Sequence, residues 1–306
     1  MNAKQTVLIA GATGFVGREL VTHLITSGYE VKILTRNVVQ AKKIFPKDVI
    51  ILLWPNEKES RVLPATYSCN VVVNLAGANI GNLRWTHNNK HQILNSRIQS
   101  VDALFQIVNQ LPELPSVWIQ ASAIGYYGAN TLTPTNESGI QGKGFLASVV
   151  NQWELALESK SLGEVRKVYL RFGIVLSPKG GFLKQMKDAF NFGMAICPGS
   201  GLQKMSWIHL TDLVEIIRRS IENENYSGVV NAVVPNPISF SHFSELLKKR
   251  TRALFTIKIP AIVFRILLGT EKTNEMLLAN QEIVPAKLLE YNFSYQYEFI
   301  EQVFKE

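Results

Sequence analysis

The chain has 306 residues, 32 of them Lys or Arg and 24 Asp or Glu, with 46% hydrophobic residues and two cysteines. A chain this long buries a sufficient core without disulfides or a structural metal, and its 18% charged content, below the usual ~25%, excludes a disordered polymer. The isolated Cys69 and Cys197 make neither a redox nor a zinc pattern and fit a cytoplasmic protein. No apolar run approaches the ~18 residues of a membrane span, and a strand-like run starting at Thr6 argues against a signal peptide.

In chain order, Thr6–Ala10 is a short continuous apolar run, as expected of a parallel strand covered on both faces. Gly11-Ala-Thr13-Gly14-Phe15-Val16-Gly17 follows at once. A helix then carries Phe15, Leu20, Val21, Leu24 and Ile25 at helical spacing and stops at Gly28. Val31–Thr35 reads as the second strand, with further strands at Val49–Leu53, Val71–Leu75, Val117–Gln120 and Lys167–Leu170. Helical stretches run over roughly Thr86–Gln110 and Phe145–Ser159. Alternation of strand and helix predicts right-handed βαβ units and a parallel sheet. After Phe172 the rhythm breaks on glycines and prolines. A helix follows Thr211, which is its candidate N-cap, a strand covers Val229–Val233, and the last stretch reads as short helices separated by Pro260, Gly269 and Pro285.

The net charge is 32 − 24 = +8. Residues 1–150 hold 13 basic and 8 acidic side chains, 151–240 hold 10 and 8, and 241–306 hold 9 and 8. The excess is mild in each part. The tight cluster Lys248-Lys249-Arg250-x-Arg252 follows an apolar helix face and reads as a solvated helix end, favoured by the helix dipole. No basic stripe interleaved with aromatics is present, so nucleic acid is not an expected partner, and with no spanning apolar run neither is a membrane.

G-x-x-G-x-x-G directly after a first strand and opening a helix is a dinucleotide signature. Glycine lets the backbone approach a pyrophosphate, whose charge then sits on the helix N-terminus. At the end of the second strand NAD enzymes carry an acid for the ribose 2′-hydroxyl. Here stand Thr35-Arg36-Asn37, with no acid nearby. An arginine offers a planar donor fork and a permanent charge, suited to the 2′-phosphate of NADP(H). The fourth strand ends Asn74-Leu-Ala-Gly77-Ala-Asn79, where small residues let backbone lie against a ligand. The fold class is therefore α/β, a Rossmann-type doubly wound parallel sheet with a smaller, mostly helical C-terminal substrate region. Residues 1–175, with the strand at about 229–233, are expected to form the NADP-binding domain. Residues 176–228 and 234–306 are expected to form the substrate region, for a small-molecule substrate. Monomer and homodimer both remain open.

Together these residues resemble the extended short-chain dehydrogenase/reductase superfamily, and within it an atypical branch of epimerase-family, nucleoside-diphosphate-sugar-epimerase-like proteins. The likeness runs through Asn74–Asn79, Arg84-Trp85, Asn95-Ser-Arg97, Ala121–Gly128, Leu170–Val175, Ser206–Leu213 and Asn231–Asn236 to a branch-specific tail with Pro285-Ala-Lys-Leu288. It implies Gly11, Thr13, Gly14, Phe15, Val16 and Gly17 at the pyrophosphate, Thr35 and Arg36 at the 2′-phosphate, and Leu75, Ala76 and Gly77 on the adenine–ribose side. It further implies cofactor contacts from Arg97 and from Ser122, which ends the fifth strand where the superfamily keeps a catalytic hydroxyl.

Such enzymes normally place a Tyr-x-x-x-Lys pair on the next helix, whose tyrosine moves a proton while the nicotinamide moves a hydride. That helix here reads Phe145-Leu-Ala-Ser-Val-Val-Asn-Gln-Trp-Glu154, with Phe145 or Leu146 in the tyrosine slot and Val149 or Val150 in the lysine slot. Tyr126 and Tyr127, just after Ser122, are the alternative catalytic hydroxyls, Tyr127 ahead because the motif ends in Tyr-Gly. Arg84, Trp85, Trp207 and His209 are candidate substrate residues, and His209 is also readable as a buried histidine fixing the following helix start. Arg171, after a strand, is either a structural partner of a carboxylate or a substrate residue. His87 and His91 lack a third ligand, so no metal is expected. The resulting expectation is an NADP(H)-dependent oxidoreductase or epimerase-like enzyme; the other reading is an NADP(H)-binding sensor or scaffold without turnover.

Overall fold

A computed structural model describes residues 4–54, 67–81, 84–190, 193–251 and 253–305; Arg252 of the basic cluster lies outside them. Seven strands form one parallel sheet in the order β11-β6-β5-β4-β1-β2-β3. They are β1 (Thr6–Ala10), β2 (Glu30–Thr35), β3 (Ile50–Leu53), β4 (Val71–Asn74), β5 (Val117–Ala123), β6 (Arg166–Phe172) and β11 (Gly228–Ala232). The central strands are buried on both faces, which is why their sequences are continuous apolar runs rather than alternating ones.

The period of two divides these runs between two cores. Val7 and Ile9 join Val71, Val73, Val117 and Ile119 beneath α1 (Phe15–Thr26) and α6 (Leu210–Glu222). Leu8 and Ala10 join Val72 and Trp118 beneath α3 (His87–Val108) and α4 (Phe145–Glu158). The sheet is thus doubly wound. Because β1 has β2 on one side and β4 on the other, the crossovers leave it in opposite directions and a crevice opens at its C-terminal end.

The remainder of the chain holds α2 (Val38–Ile44), β7 (Ile174–Ser177), α5 (Gly181–Phe190), β8 (Met194–Pro198), β9 (Lys204–Met205), β10 (Trp207–His209), β12 (Ile238–Ser239), α7 (Phe240–Thr251), β13 (Phe255–Ile259), α8 (Ala261–Leu268), α9 (Thr270–Lys272), α10 (Ala286–Glu290) and α11 (Ile300–Val303). Three two-stranded pieces, β7 with β10, β9 with β12 and β8 with β13, were not legible in the sequence. β13 lies in the stretch read as helical. Its partner β8 is distant in the chain, so no local turn announces the pairing.

Carboxylates join the C-terminal segment to the sheet domain. Glu275 accepts the N–H groups of Phe145 (2.9 Å) and Leu146 (2.8 Å), capping α4. Asp212 accepts those of Gln296 (2.8 Å) and Tyr297 (3.0 Å). Glu137 accepts from Asn231 on β11 and from Ala286 at the start of α10. Glu275 and Asp212 each satisfy two backbone donors, and Glu137, which also accepts from Lys287 (3.4 Å), satisfies three. One cap differs from the sequence expectation: His209, not Thr211, caps α6, its Nδ1 accepting the Thr211 N–H at 3.3 Å.

Glu215 ties α6 together and to α1. It contacts Arg218 (2.7 Å), Arg219 (3.0 Å) and His23 (3.2 Å). Burial opposes its charge, but the two guanidiniums prevail and hold the carboxyl at about 2 against an ordinary 4.5. A depressed folded value stabilises above the unfolded value and is lost as pH falls. Thermal stability should therefore decline as pH falls from 4.5 towards about 2, and Glu215→Gln should flatten that acid limb in scanning calorimetry. An unchanged limb in the variant would refute the assignment.

Candidate functional site

The crevice at the end of β1 is a cleft of about 480 Å³ lined by Gly11, Thr13, Gly14, Thr35, Arg36 and Leu75–Ala78, among others. Its floor exists because backbone lies on backbone. Gly11 has φ +81°, and a Cβ there would stand 2.6 Å from the Leu75 carbonyl carbon. A Cβ on Gly17 would stand 2.5 Å from Gly11 O, so that glycine lets α1 pack directly on the turn. Gly14 caps α1 without a side-chain hydrogen bond, and no acid occupies the first turn. The amides of Phe15, Val16 and Gly17 therefore meet no side-chain acceptor from the cap and no opposing charge in that turn, which is the electrostatic requirement of a pyrophosphate.

The second wall is built at the end of β2. Thr35 is buried and its Oγ1 accepts the Asn37 N–H (3.1 Å), while Asn37 caps α2 through Gln40 N–H (2.9 Å). This fixes the turn and leaves the Arg36 side chain exposed on the cleft. The third wall is the 75–79 loop. Buried Asn74 holds it by accepting the Ala76 N–H (3.1 Å) and donating to Gln120 and Ser100 (3.1 Å each). Arg97 braces the loop from below through Ala78 O (3.2 Å), with its stem against Gly77 and its guanidinium 5.0 Å from the Trp153 ring. Burial lowers that guanidinium to about 10. Gln92, Ser96, Gln99 and Ser100 of α3 complete the lining. Sequence reasoning missed these four; the available signal was a polar stripe at helical spacing on an otherwise apolar helix.

Deeper in the sheet, Ser122 and Arg171 stand side by side in the β5–β6 register. Ser122 donates to Glu154 of α4 (2.5 Å), and Arg171 grips the same carboxylate with Nε (2.9 Å) and a terminal nitrogen (2.7 Å). Glu154, unnoticed as a site residue in the sequence, is the carboxylate partner of Arg171. The Arg171 guanidinium lies 3.4 Å from the Tyr126 ring centre and 4.9 Å from that of Tyr127. Tyr126 is half-buried. Tyr127 is buried, its hydroxyl donates to Asn231 (2.8 Å), and burial pushes its phenol above the ordinary value.

The other expected substrate residues separate. Trp85 meets Phe145 edge-on at 5.0 Å, beside Lys90, which lies over the Phe145 ring at 4.7 Å. Arg84 is exposed and donates to Leu267 O (3.0 Å). Trp207 and His209 are buried at the two ends of β10, Trp207 bonded to Asn236 O (3.3 Å) and His209 stacked 3.8 Å from Tyr297. Both side chains are taken up by the core. Among the described residues no cluster of three or more metal-ligating side chains occurs, and no helix is long and apolar enough to cross a membrane.

A glycine turn opening a helix at the switch point of a seven-stranded parallel sheet defines a dinucleotide-binding Rossmann protein. Residues 7–232 match the NAD dependent epimerase/dehydratase family, and the chain belongs to it. Residues 259–306 match a domain of unknown function, DUF1731. The chain is 33% identical over 99% of its length, and 86% of the relative's, to the chloroplastic epimerase family protein SDR39U1 homolog of Arabidopsis thaliana. It is 35% identical to an epimerase family protein of Staphylococcus saprophyticus, covering 95% of each. The crystal structure of human epimerase family protein SDR39U1 with NADPH superposes with a TM-score of 0.86 at 27% identity, covering 98% of both chains.

The Glu154–Arg171 pair is almost fully desolvated, with side chains 13% and 4% exposed. Removing one partner strands a buried charge at a cost of ~3–5 kcal/mol. Arg171→Leu should lower the urea unfolding free energy by about that much, and Arg171→Leu with Glu154→Leu should recover a large part of it. Equal losses in the single and double variants would show that the pair is not coupled.

Proposed function

We propose that the protein is an NADP(H)-dependent oxidoreductase or epimerase-like enzyme acting on a small or sugar-like substrate. The observation that carries it is Arg36, exposed on the cleft beside a capped and rigid turn, with no acid at the end of β2. A dinucleotide fits the residues present: Gly11 leaves the space a Cβ would fill, the start of α1 carries no opposing carboxylate, and Arg36 matches a 2′-phosphate. The NADPH in the structure of the human relative supports the same reading. When bound, the cofactor supplies hydride chemistry.

The chain's own part is proton handling without the usual Tyr-x-x-x-Lys pair. In either register of α4 the tyrosine and lysine slots hold Phe145 or Leu146 and Val149 or Val150, none of which exchanges a proton, and Leu146 and Val150 lie next to Gly125 at the turn after β5. Of the expected hydroxyls, that of Ser122 is directed into Glu154 and that of Tyr127 into Asn231. Half-buried Tyr126 is the third expected hydroxyl and the one assigned the proton in this reading, its ring held in place by stacked Arg171. Ser122, Glu154 and Tyr127 then act as the frame. The apolar Leu146 and Val150 favour a second reading, a cofactor-binding protein without turnover.

NADPH fluorescence titration should show binding, with NADH weaker by about 10–100-fold, the worth of one or two charge-assisted hydrogen bonds. Arg36→Ala should erase most of that difference. NADH binding as tightly as NADPH to the unaltered protein would end the NADP(H) assignment. Across a panel of carbonyl compounds and nucleotide sugars, any NADPH oxidation should be lost in Tyr126→Phe while NADPH affinity persists. Binding with no oxidation of any member would favour the second reading.

A further inference from the structure

Between Glu245 and Glu271 the sequence contains Lys248, Lys249, Arg250, Arg252, Lys258 and Arg265 and no acid. That segment carries six of the net eight positive charges; averaging over the whole C-terminal fifth, where seven other acids lie beyond it, conceals this.

The same segment exposes apolar side chains. α8 reads Ala-Ile-Val-Phe-Arg-Ile-Leu-Leu and has no buried residue. Ile266 is 74% exposed, Ile262 and Leu267 are each 57% exposed, and just upstream Leu254 is 80% and Phe255 50% exposed. Pro260 joins β13 directly to α8. Lys258, Arg265, Lys249 and Arg250 are exposed in the same stretch of chain, Arg265 donating to Asn274 Oδ1 (3.3 Å) and Arg250 to Phe304 O (3.4 Å). Glu271, at the far end, is engaged by Lys90. Exposed apolar side chains gathered in one short segment and interspersed with cations mark an interaction site.

The chemistry selects the occupant. A second copy seated on the same patch would place like charges face to face, which costs affinity. Nucleic acid would match the cations but leave the leucines and isoleucines without a partner. An anionic bilayer surface matches both, since apolar side chains enter the headgroup boundary while Lys and Arg meet lipid phosphates. We propose that the β13–α8 segment docks the protein on an anionic phospholipid surface. This is surface binding and needs no spanning helix. It is independent of cofactor and of turnover.

The test is sedimentation of the full chain with vesicles of equimolar phosphatidylglycerol and phosphatidylcholine, against vesicles of phosphatidylcholine alone. Binding to the first and little to the second is expected. Lys258→Gln with Arg265→Gln should weaken partitioning about thirtyfold, a factor of about five per cation, and Ile262→Asp with Ile266→Asp should abolish it. Both pairs should leave circular dichroism and thermal unfolding intact, because all four side chains are exposed. Absence of binding to the mixed vesicles, or equal binding to both kinds, would overturn the proposal. So would concentration-dependent dimerisation lost in Ile262→Asp with Ile266→Asp, or salt-sensitive binding to DNA without vesicle binding.

Discussion

The backbone of Gly11 lies against the backbone of Leu75, and the crevice of this protein depends on that contact. Parallel pairing sends β2 and β4 to opposite sides of β1, so the loops that follow them must diverge. What remains between them is a cleft whose floor is main chain. Any side chain at residue 11 would both strain a φ of +81° and push the 75–79 loop away. The buried polar group Asn74–Ser100–Gln120 then holds that loop by hydrogen bonds that no water competes for.

A second constraint is the way the C-terminal segment is fastened. Glu275 and Asp212 each collect a pair of backbone N–H groups across a junction, and Glu137 collects three. Glu275 is the most consequential. It takes the N-terminus of α4, a place where an anion is stabilised by the helix dipole, and so couples the segment of unknown function to the helix that carries Glu154. Glu154 in turn orders Ser122 and Arg171. The segment is therefore linked through α4 to Ser122 and Arg171 at the ends of β5 and β6.

Much of the sheet domain was legible because its signals are local. The apolar strands, the glycine turn and the Arg36 position each lie within a few consecutive residues. The caps were less legible: Thr211 is the residue type that usually caps a helix, yet His209 does so, because its ring is already fixed by stacking on Tyr297 from the far end of the chain. β13 was read into a helical stretch, since only its pairing with remote β8 makes it a strand. Trp207 and His209 have the chemistry of a substrate site and the burial of a core. Exposure is a property of what packs around a residue, and sequence spacing does not report it.

By itself the sequence determined the doubly wound architecture and the position of its nucleotide crevice, because period, glycine turn and strand ends are short-range features of the chain. Only the tertiary structure decided how the hydroxyls are engaged. Ser122, Tyr126 and Tyr127 are near neighbours in the chain, and their roles diverge because Glu154, Arg171 and Asn231 arrive from three different elements to claim or to stack on them. Hydrogen bonding is directional and short-ranged, so the partners that Ser122 and Tyr127 take are settled by those long-range neighbours and not by the order of residues.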